Sequence, residues 1–325
     1  MITVELHVFS GLPNPTWTLT PQEENELLAR ATAEPTLTQP PSKVGDLGYR
    51  GFSIAVEGDS AQKWLVAKLP TRFHITAHEV VERQLLNATN AGRTVSGQVR
   101  QFAKDSIEAA NQAWHQRWLQ AERAVKGPPL TPPGRNEKLL NAPTPVPSPD
   151  SKRAHPEKPA PPPSLSRISL RERFVQPAGC GSYDLTSDTD FSFWNSDPYV
   201  MEHNNCYNYA ADWRTDTFAQ PGRKSNTPYS SLTCSAVAYS AAYDGFTNDC
   251  WVGGEYYAAL VIWPGQDFHW YRLCANGHWC HKPGKSPARN YDNSGYWITD
   301  PSTCDRGPYT DFCGYKYWPD TYTVQ

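Results

Sequence analysis

The chain has 325 residues, a formal net charge of −3 and 12% aromatic residues. This charge balance lacks the basic excess that is typical of nucleic-acid-binding proteins, and no apolar run approaches the roughly 18 residues that a membrane span needs. The length predicts two domains, and the aromatic content supplies enough apolar surface for two hydrophobic cores.

The first predicted unit is an N-terminal α+β module over residues 1–126. Apolar residues alternate over 1–9, which predicts a strand that ends at the turn-rich segment 10–15. Thr20 followed by Pro21 is typical of a helix start, and the predicted helix runs to about residue 33. A second strand is predicted over 47–56.

Two further helices are predicted in this module. Thr76 is expected to cap a helix over 77–87. Apolar residues recur at helical spacing over 96–125, and we interpret this stripe as a packed face. Its members are Val99, Phe102, Ile107, Trp114 and Trp118.

A proline-rich linker is predicted over residues 127–177. Thirteen of the 30 prolines fall between Pro128 and Pro163. Because such a chain cannot bury a core and samples extended conformations, it is expected to act as a semi-rigid spacer without regular secondary structure. It can also contact a partner or another subunit.

The second predicted domain spans 178–325 and contains all eight cysteines. Helices are predicted over 206–213 and 230–243, followed by strands over 255–263, 268–274, 278–282 and 311–317. Helices that lead into an antiparallel sheet indicate an α+β layout. The fold class predicted for the whole chain is therefore α+β.

The cysteine content and the N-terminus give opposing indications of cellular location. Residues 1–9 lack the pattern of a signal peptide, whereas the density of cysteines favours an oxidising compartment. Export by a leaderless route or an extracellular context reconciles the two. Disulfides are predicted between Cys304 and Cys313 and between Cys234 and Cys250, and the pair Cys274–Cys280 is ranked below them because neither hairpin register places its members directly opposite each other.

Cys206 is the candidate nucleophile of the second domain. Polar residues precede it, and it opens a predicted helix, where the helix dipole lowers a thiol pKa. The alternative is a buried or disulfide-bonded structural cysteine. Asn205 is a candidate oxyanion donor beside the Cys206 amide.

His269 is the preferred base, and His281 is the alternative. His269 follows a loop at the start of a strand, whereas His281 lies beside Lys282. A two-residue loop between their strands places the histidines on opposite faces, and a three-residue loop places them on one face. The sequence leaves this register open.

A third group must orient the base, and Asn290 and Asp292 are the candidates. Both lie in a segment whose composition is also typical of turns. No metal site and no cofactor are expected.

The order of a cysteine at a helix start, a histidine on a later strand and a polar residue further on resembles the papain-like thiol hydrolase superfamily, with its NlpC/P60 and CHAP branches. The segments Phe268–Arg272 and Trp279–Gly284, and the N-terminal segment Ser10–Trp17, also resemble recurrent motifs of proteins with papain-like C-terminal domains. The resemblance implies a divergent branch with a papain-like α+β domain and a peptide or other amide-containing substrate.

Two functional hypotheses follow. The first is a thiol hydrolase for amide or ester bonds that uses a Cys–His site. The second is a non-enzymatic, secreted binding or structural module with a disulfide-stabilised, aromatic-rich domain. Fast reaction of Cys206 with a thiol probe would favour the first.

Overall fold

The computed structural model describes residues 1–38, 46–125, 191–248, 255–319 and 322–325. The predicted linker over 127–177 lies outside the described residues. The proposed division into 1–126, 127–177 and 178–325 therefore stays a prediction.

The N-terminal part contains an antiparallel sheet of four strands in the order β2-β1-β3-β4. The strands are β1 (Ile2–Leu6), β2 (Thr16–Thr18), β3 (Phe52–Val56) and β4 (Arg72–Ile75). In β1 every second residue is buried, as the apolar alternation predicts. The short strands β2 and β4 were not predicted.

Among the residues that the structure describes, a short 3-10 helix (Pro35–Thr38) and five α-helices accompany this sheet: α1 (Pro21–Ala33), α2 (Asp59–Val66), α3 (Glu79–Leu86), α4 (Ala91–Thr94) and α5 (Gly97–Val125). Helix α1 begins at the predicted N-cap, where the Thr20 side chain accepts from the Glu23 amide and the Glu23 carboxylate accepts from the Thr20 amide. The predicted cap of α3 is wrong, because His78 and not Thr76 caps that helix.

The C-terminal part contains a second antiparallel sheet, in the order β7-β6-β5-β8. Its strands are β5 (Glu255–Trp263), β6 (Asp267–Leu273), β7 (Trp279–His281) and β8 (Asp311–Pro319). The helices are α6 (Ser192–Asn195), α7 (Pro198–His203), α8 (Cys206–Ala210) and α9 (Cys234–Asp244). Helices and antiparallel sheets confirm the α+β fold class.

Both faces of the second sheet are buried at its central strands, over residues 258–263 of β5 and throughout β6. Along β5, Ala259, Val261 and Trp263 join the hydrophobic core of the N-terminal sheet. The alternate residues, including Leu260 and Ile262, join a second core that contains residues of α8 and α9. A strand that is covered on both faces needs apolar residues at every position, which explains the continuous run of β5.

The disulfides differ from those predicted. Cys234, the first residue of α9, bonds to Cys313 on β8, so both first-ranked pairs are wrong. Cys304 is a free thiol, and Cys250 lies outside the described residues. The lower-ranked pair Cys274–Cys280 is bonded across the hairpin of β6 and β7, with Cα atoms 6.0 Å apart.

Within the described ranges, none of the helices combines the length and apolar character that crossing a bilayer requires.

Candidate functional site

Helix α8 begins where the sequence predicts, and Asn205 is its N-cap. The Asn205 side-chain oxygen accepts from the amides of Tyr207 and Asn208 at 3.0 and 3.1 Å. Its side-chain nitrogen donates to the carbonyls of Gly11 and Ala219, both at 2.8 Å. Both N–H donors and the oxygen of this side-chain amide are hydrogen-bonded within the protein, so Asn205 has no free donor for an oxyanion.

The register of β6 and β7 resolves the position of the two histidines. Tyr271 pairs with His281, which corresponds to the three-residue loop. His269 and His281 therefore lie on one face of the sheet, and His269 Nε2 is 2.9 Å from His281 Nδ1.

These rings belong to a buried hydrogen-bond chain, which we call the Ser10–His269–His281 chain. The Ser10 hydroxyl lies 2.5 Å from His269 Nδ1, and His281 Nε2 lies 3.1 Å from both Arg289 Nε and the Tyr291 carbonyl. Burial is the largest cause that lowers the pKa of each ring, and the nearby Arg289 guanidinium lowers both further. In a neutral ring one nitrogen donates and the other accepts, so His281 Nε2 hydrogen-bonds either to Arg289 Nε or to the Tyr291 carbonyl, while Nδ1 hydrogen-bonds to His269.

Asp267 joins the same region to the N-terminal turn. Its carboxylate accepts from the amides of Ser10 at 2.5 Å, Gly11 at 3.2 Å and Leu12 at 2.9 Å, and from the Tyr309 hydroxyl at 2.5 Å. Burial raises the pKa of Asp267 to about 6, and these four donors oppose the rise. The carboxylate thus fastens residues 10–12 to the start of β6.

The environment of the Cys206 thiol raises its pKa, whereas the sequence predicts a lowered pKa. Burial raises the pKa of the thiol, and the Asp267 charge raises it further. The predicted lowering is wrong because the loss of hydration outweighs the dipole of a five-residue helix. The sulfur hydrogen-bonds to the Phe268 carbonyl at 3.9 Å, and the Ser10 side chain also contacts it. The contact predicted between this sulfur and a histidine nitrogen is replaced by these interactions.

Lys282 points away from the histidines. Its ammonium donates to the carbonyls of Met201, Asn204 and Gly284 at 2.5 to 2.6 Å. Burial lowers the pKa of Lys282 to about 7. Because two of these carbonyls lie at the end of α7, the lysine holds that helix end in place.

Asn290 and Asp292 form part of a turn. The Asn290 carbonyl accepts from the Ile298 amide at 3.0 Å, and the Asp292 carboxylate accepts from the amides of Tyr296 and Asp305 at 2.9 and 3.0 Å. The His281 ring contacts the Tyr291 carbonyl between them. Asp292 therefore takes part in this turn through its side chain and Asn290 through its backbone carbonyl, which is the turn chemistry that the sequence also indicates.

The sequence reasoning missed Ser10, Asp267 and Tyr309. Ser10 is the first residue of the segment Ser10–Trp17 and Asp267 directly precedes the segment Phe268–Arg272, and these two segments fall in different predicted domains. Their contact spans 257 positions in the sequence, so no local pattern contains it.

The assembled groups are closed to solvent. Ser10, Cys206, Asp267, His269 and His281 each have 0% exposure. A nucleophile and its base must reach a substrate, whereas these polar atoms bond to one another. Within the part of the chain that the structure describes, no group of three or more His, Cys, Asp or Glu residues is placed to hold a metal ion.

Large aromatic side chains are exposed elsewhere. Trp297 and Tyr296 are 61% and 73% exposed, next to Tyr291 in a turn that backbone hydrogen bonds close. Tyr239 and Tyr243 are exposed on α9. Exposed aromatic groups on ordered backbone are typical of interaction surfaces.

Comparison with known proteins identifies a relative among shell proteins. The chain is 50% identical to "Insoluble matrix shell protein 1" of Ruditapes philippinarum over 126 residues, which is 38% of this chain and 83% of that protein. No protein-family model and no solved structure matches the chain.

This match corrects the resemblance to papain-like thiol hydrolases. The relative's name describes a protein of an insoluble shell matrix, which overturns the hydrolase hypothesis and leaves its peptide or amide-containing substrate without support. The catalytic roles considered for Cys206 and His269 belonged to that hypothesis. At this identity and coverage, the chain belongs to the family of the insoluble matrix shell protein.

Proposed function

We propose that this protein is a non-enzymatic structural and binding module of an insoluble extracellular matrix. The observation that carries the proposal is the closure of the Cys206 region. A cysteine, two histidines and an aspartate in one cluster are the groups of a hydrolase, yet each has 0% exposure and each is bonded within the protein.

The buried polar groups suit a structural role. Asp267 and the Ser10–His269–His281 chain join the N-terminal turn to the second sheet. A buried polar network whose members are all hydrogen-bonded makes such a junction rigid, whereas unpaired members would destabilise it. The disulfides Cys234–Cys313 and Cys274–Cys280 add covalent links of the kind that persist in oxidising, extracellular surroundings.

The exposed aromatic side chains suit a binding role. A turn that carries Tyr296 and Trp297 presents large apolar surface with little conformational freedom, so contact with a matrix component costs little ordering entropy. The relative's name places that protein in an insoluble matrix, and we extend this location to the present chain.

Fractionation of the native source tests the proposal. We expect the chain to remain in the insoluble extracellular residue after washing with salt and detergent, and to be released by denaturant with reductant. Recovery of the whole chain in the soluble fraction would contradict the proposal.

A matched pair of variants tests the contribution of the aromatic surface. Trp297→Ala is expected to release the chain at lower denaturant concentration than wild type. Leu65→Ala is the control, since Leu65 is 64% exposed and aliphatic. Release of the wild type and both variants at the same denaturant concentration would show that Trp297 does not contribute to matrix binding.

A further inference from the structure

Two tyrosines on α9 form a hydrogen-bonded pair at the surface. Tyr239 and Tyr243 are one helical turn apart, which places them on the same face of the helix. Their hydroxyl oxygens are 2.9 Å apart, and their ring centroids are 5.1 Å apart with 67° between the planes. The side chains are 62% and 53% exposed.

This geometry lies close to that of a coupled biphenol. A bond between the carbons ortho to the two hydroxyls leaves the centroids about 4.3 Å apart, which is two ring radii plus one C–C bond of about 1.5 Å. The centroids of Tyr239 and Tyr243, 5.1 Å apart, are thus about 0.8 Å further apart than in the coupled product, and the edge-to-face rings must also turn so that their ortho carbons meet. A coupled biphenol also keeps its hydroxyls adjacent and its rings twisted apart, as in this pair.

The backbone beneath the pair is held in place. Thr233 caps α9 through the Ala236 amide, and Cys234 ties the first residue of the helix to β8. Val237 and Ala241, on the opposite face, are fully buried in the second core. The two rings thus stay near each other while their outer edges meet solvent.

We propose that Tyr239 and Tyr243 are a site of oxidative coupling, at which a peroxidase-type oxidant with hydrogen peroxide forms an intrachain dityrosine bond. Each phenol loses one electron and one proton and becomes a phenoxyl radical. The two radicals pair their electrons in a new C–C bond between ortho carbons, and each ortho hydrogen then moves to a phenoxyl oxygen. Two phenols and one hydrogen peroxide give one dityrosine and two waters.

The hydrogen bond favours the second oxidation at the same pair. When one ring is a radical, the shared O–H···O contact allows a hydrogen atom to exchange between the oxygens, so the unpaired electron visits both rings. When the ring that is still a phenol then loses one electron and one proton, two radicals are in contact. This inference goes beyond the proposed matrix function and does not depend on it.

The test is oxidation of the purified full-length chain with peroxidase and hydrogen peroxide. We expect dityrosine fluorescence, a monomer that has lost two hydrogen atoms, and a linkage that fragmentation mass spectrometry maps to residues 239 and 243. Because coupling is intramolecular, the yield of this linkage should not change with protein concentration.

Conservative variants separate this site from general tyrosine oxidation. Tyr239→Phe and Tyr243→Phe keep the ring but remove the phenol, so each should abolish the mapped linkage. Tyr296→Phe is the control and should leave the yield unchanged, although Tyr296 is the more exposed side chain at 73%. A linkage that maps elsewhere, a yield that rises with protein concentration, or a wild-type yield in Tyr239→Phe would overturn the proposal.

Discussion

Replacing Gly11 by alanine tests how tightly the N-terminal turn packs on the second sheet. A Cβ atom at Gly11 would lie 2.4 to 2.6 Å from three carbons of the Phe268 ring. The Gly11 amide donates to Asp267, and its carbonyl accepts from Asn205 and Gln220, both at 2.8 Å. The backbone therefore cannot retreat from the ring without breaking these hydrogen bonds.

The expected loss of stability follows from this geometry. Real Cβ contacts are essentially never shorter than 3.0 Å, so either the ring or the turn must move. Phe268 has 0% exposure and cannot swing into solvent. Overpacking of a rigid core costs about 1 to 3 kcal/mol, and we expect Gly11→Ala to lie near about 3 kcal/mol because both sides of the contact are fixed.

Urea unfolding followed by tryptophan fluorescence measures the effect, with Gly97→Ala as the matched control. A Cβ atom at Gly97 meets nothing within 4 Å, and Gly97 is the first residue of α5. The control should therefore leave the free energy of unfolding unchanged or raise it by up to about 1 kcal/mol. A Gly11→Ala protein within about 0.5 kcal/mol of wild type would refute the packing argument.

Two further predictions concern the Cys234–Cys313 disulfide and the dependence of stability on pH. Replacing both Cys234 and Cys313 by alanine should lower the free energy of unfolding by about 4.5 kcal/mol, since the bond spans 79 positions; an unchanged denaturation midpoint would contradict this. Urea titrations from pH 7 to pH 5 should show that the free energy of unfolding falls below about pH 6.5. Burial lowers the pKa values of His269 and His281 in the folded protein, so at these pH values the two rings bind protons in the unfolded chain but not in the folded one. The raised pKa values of Asp267 and Glu82 oppose this loss, but burial also lowers the pKa values of His7 and His74, so four histidines against two carboxyls leave a net decrease. Constant stability over this range would contradict the burial of neutral rings.

Local patterns predict the elements whose signals lie in neighbouring residues. The capping box at Thr20 and Glu23 sets the start of α1, and Asn205 sets the start of α8. Apolar alternation locates β1, and the apolar run of β5 predicts its strand. The strand β2 was missed because three residues carry too little periodicity.

Long-range pairing decides what the local patterns leave open. Neither the register that brings His269 and His281 together nor the bond between Cys234 and Cys313 is encoded in adjacent residues. The Cys206 environment shows the same limit. A helix start favours a thiolate, but the second sheet and the N-terminal turn bury the sulfur. This burial arises from tertiary packing, so the residues around Cys206 in the sequence do not predict it.

Alkylation of the native protein at neutral pH, without reductant, tests the central claim most directly. Cys206 and Cys304 are both free thiols among the described residues, and Cys304 is only partly buried. If the Cys206 cluster is a closed structural element, iodoacetamide should modify Cys304 in the folded protein and Cys206 only as the chain unfolds. Modification of Cys206 faster than Cys304, with no dependence on global stability, would contradict the account.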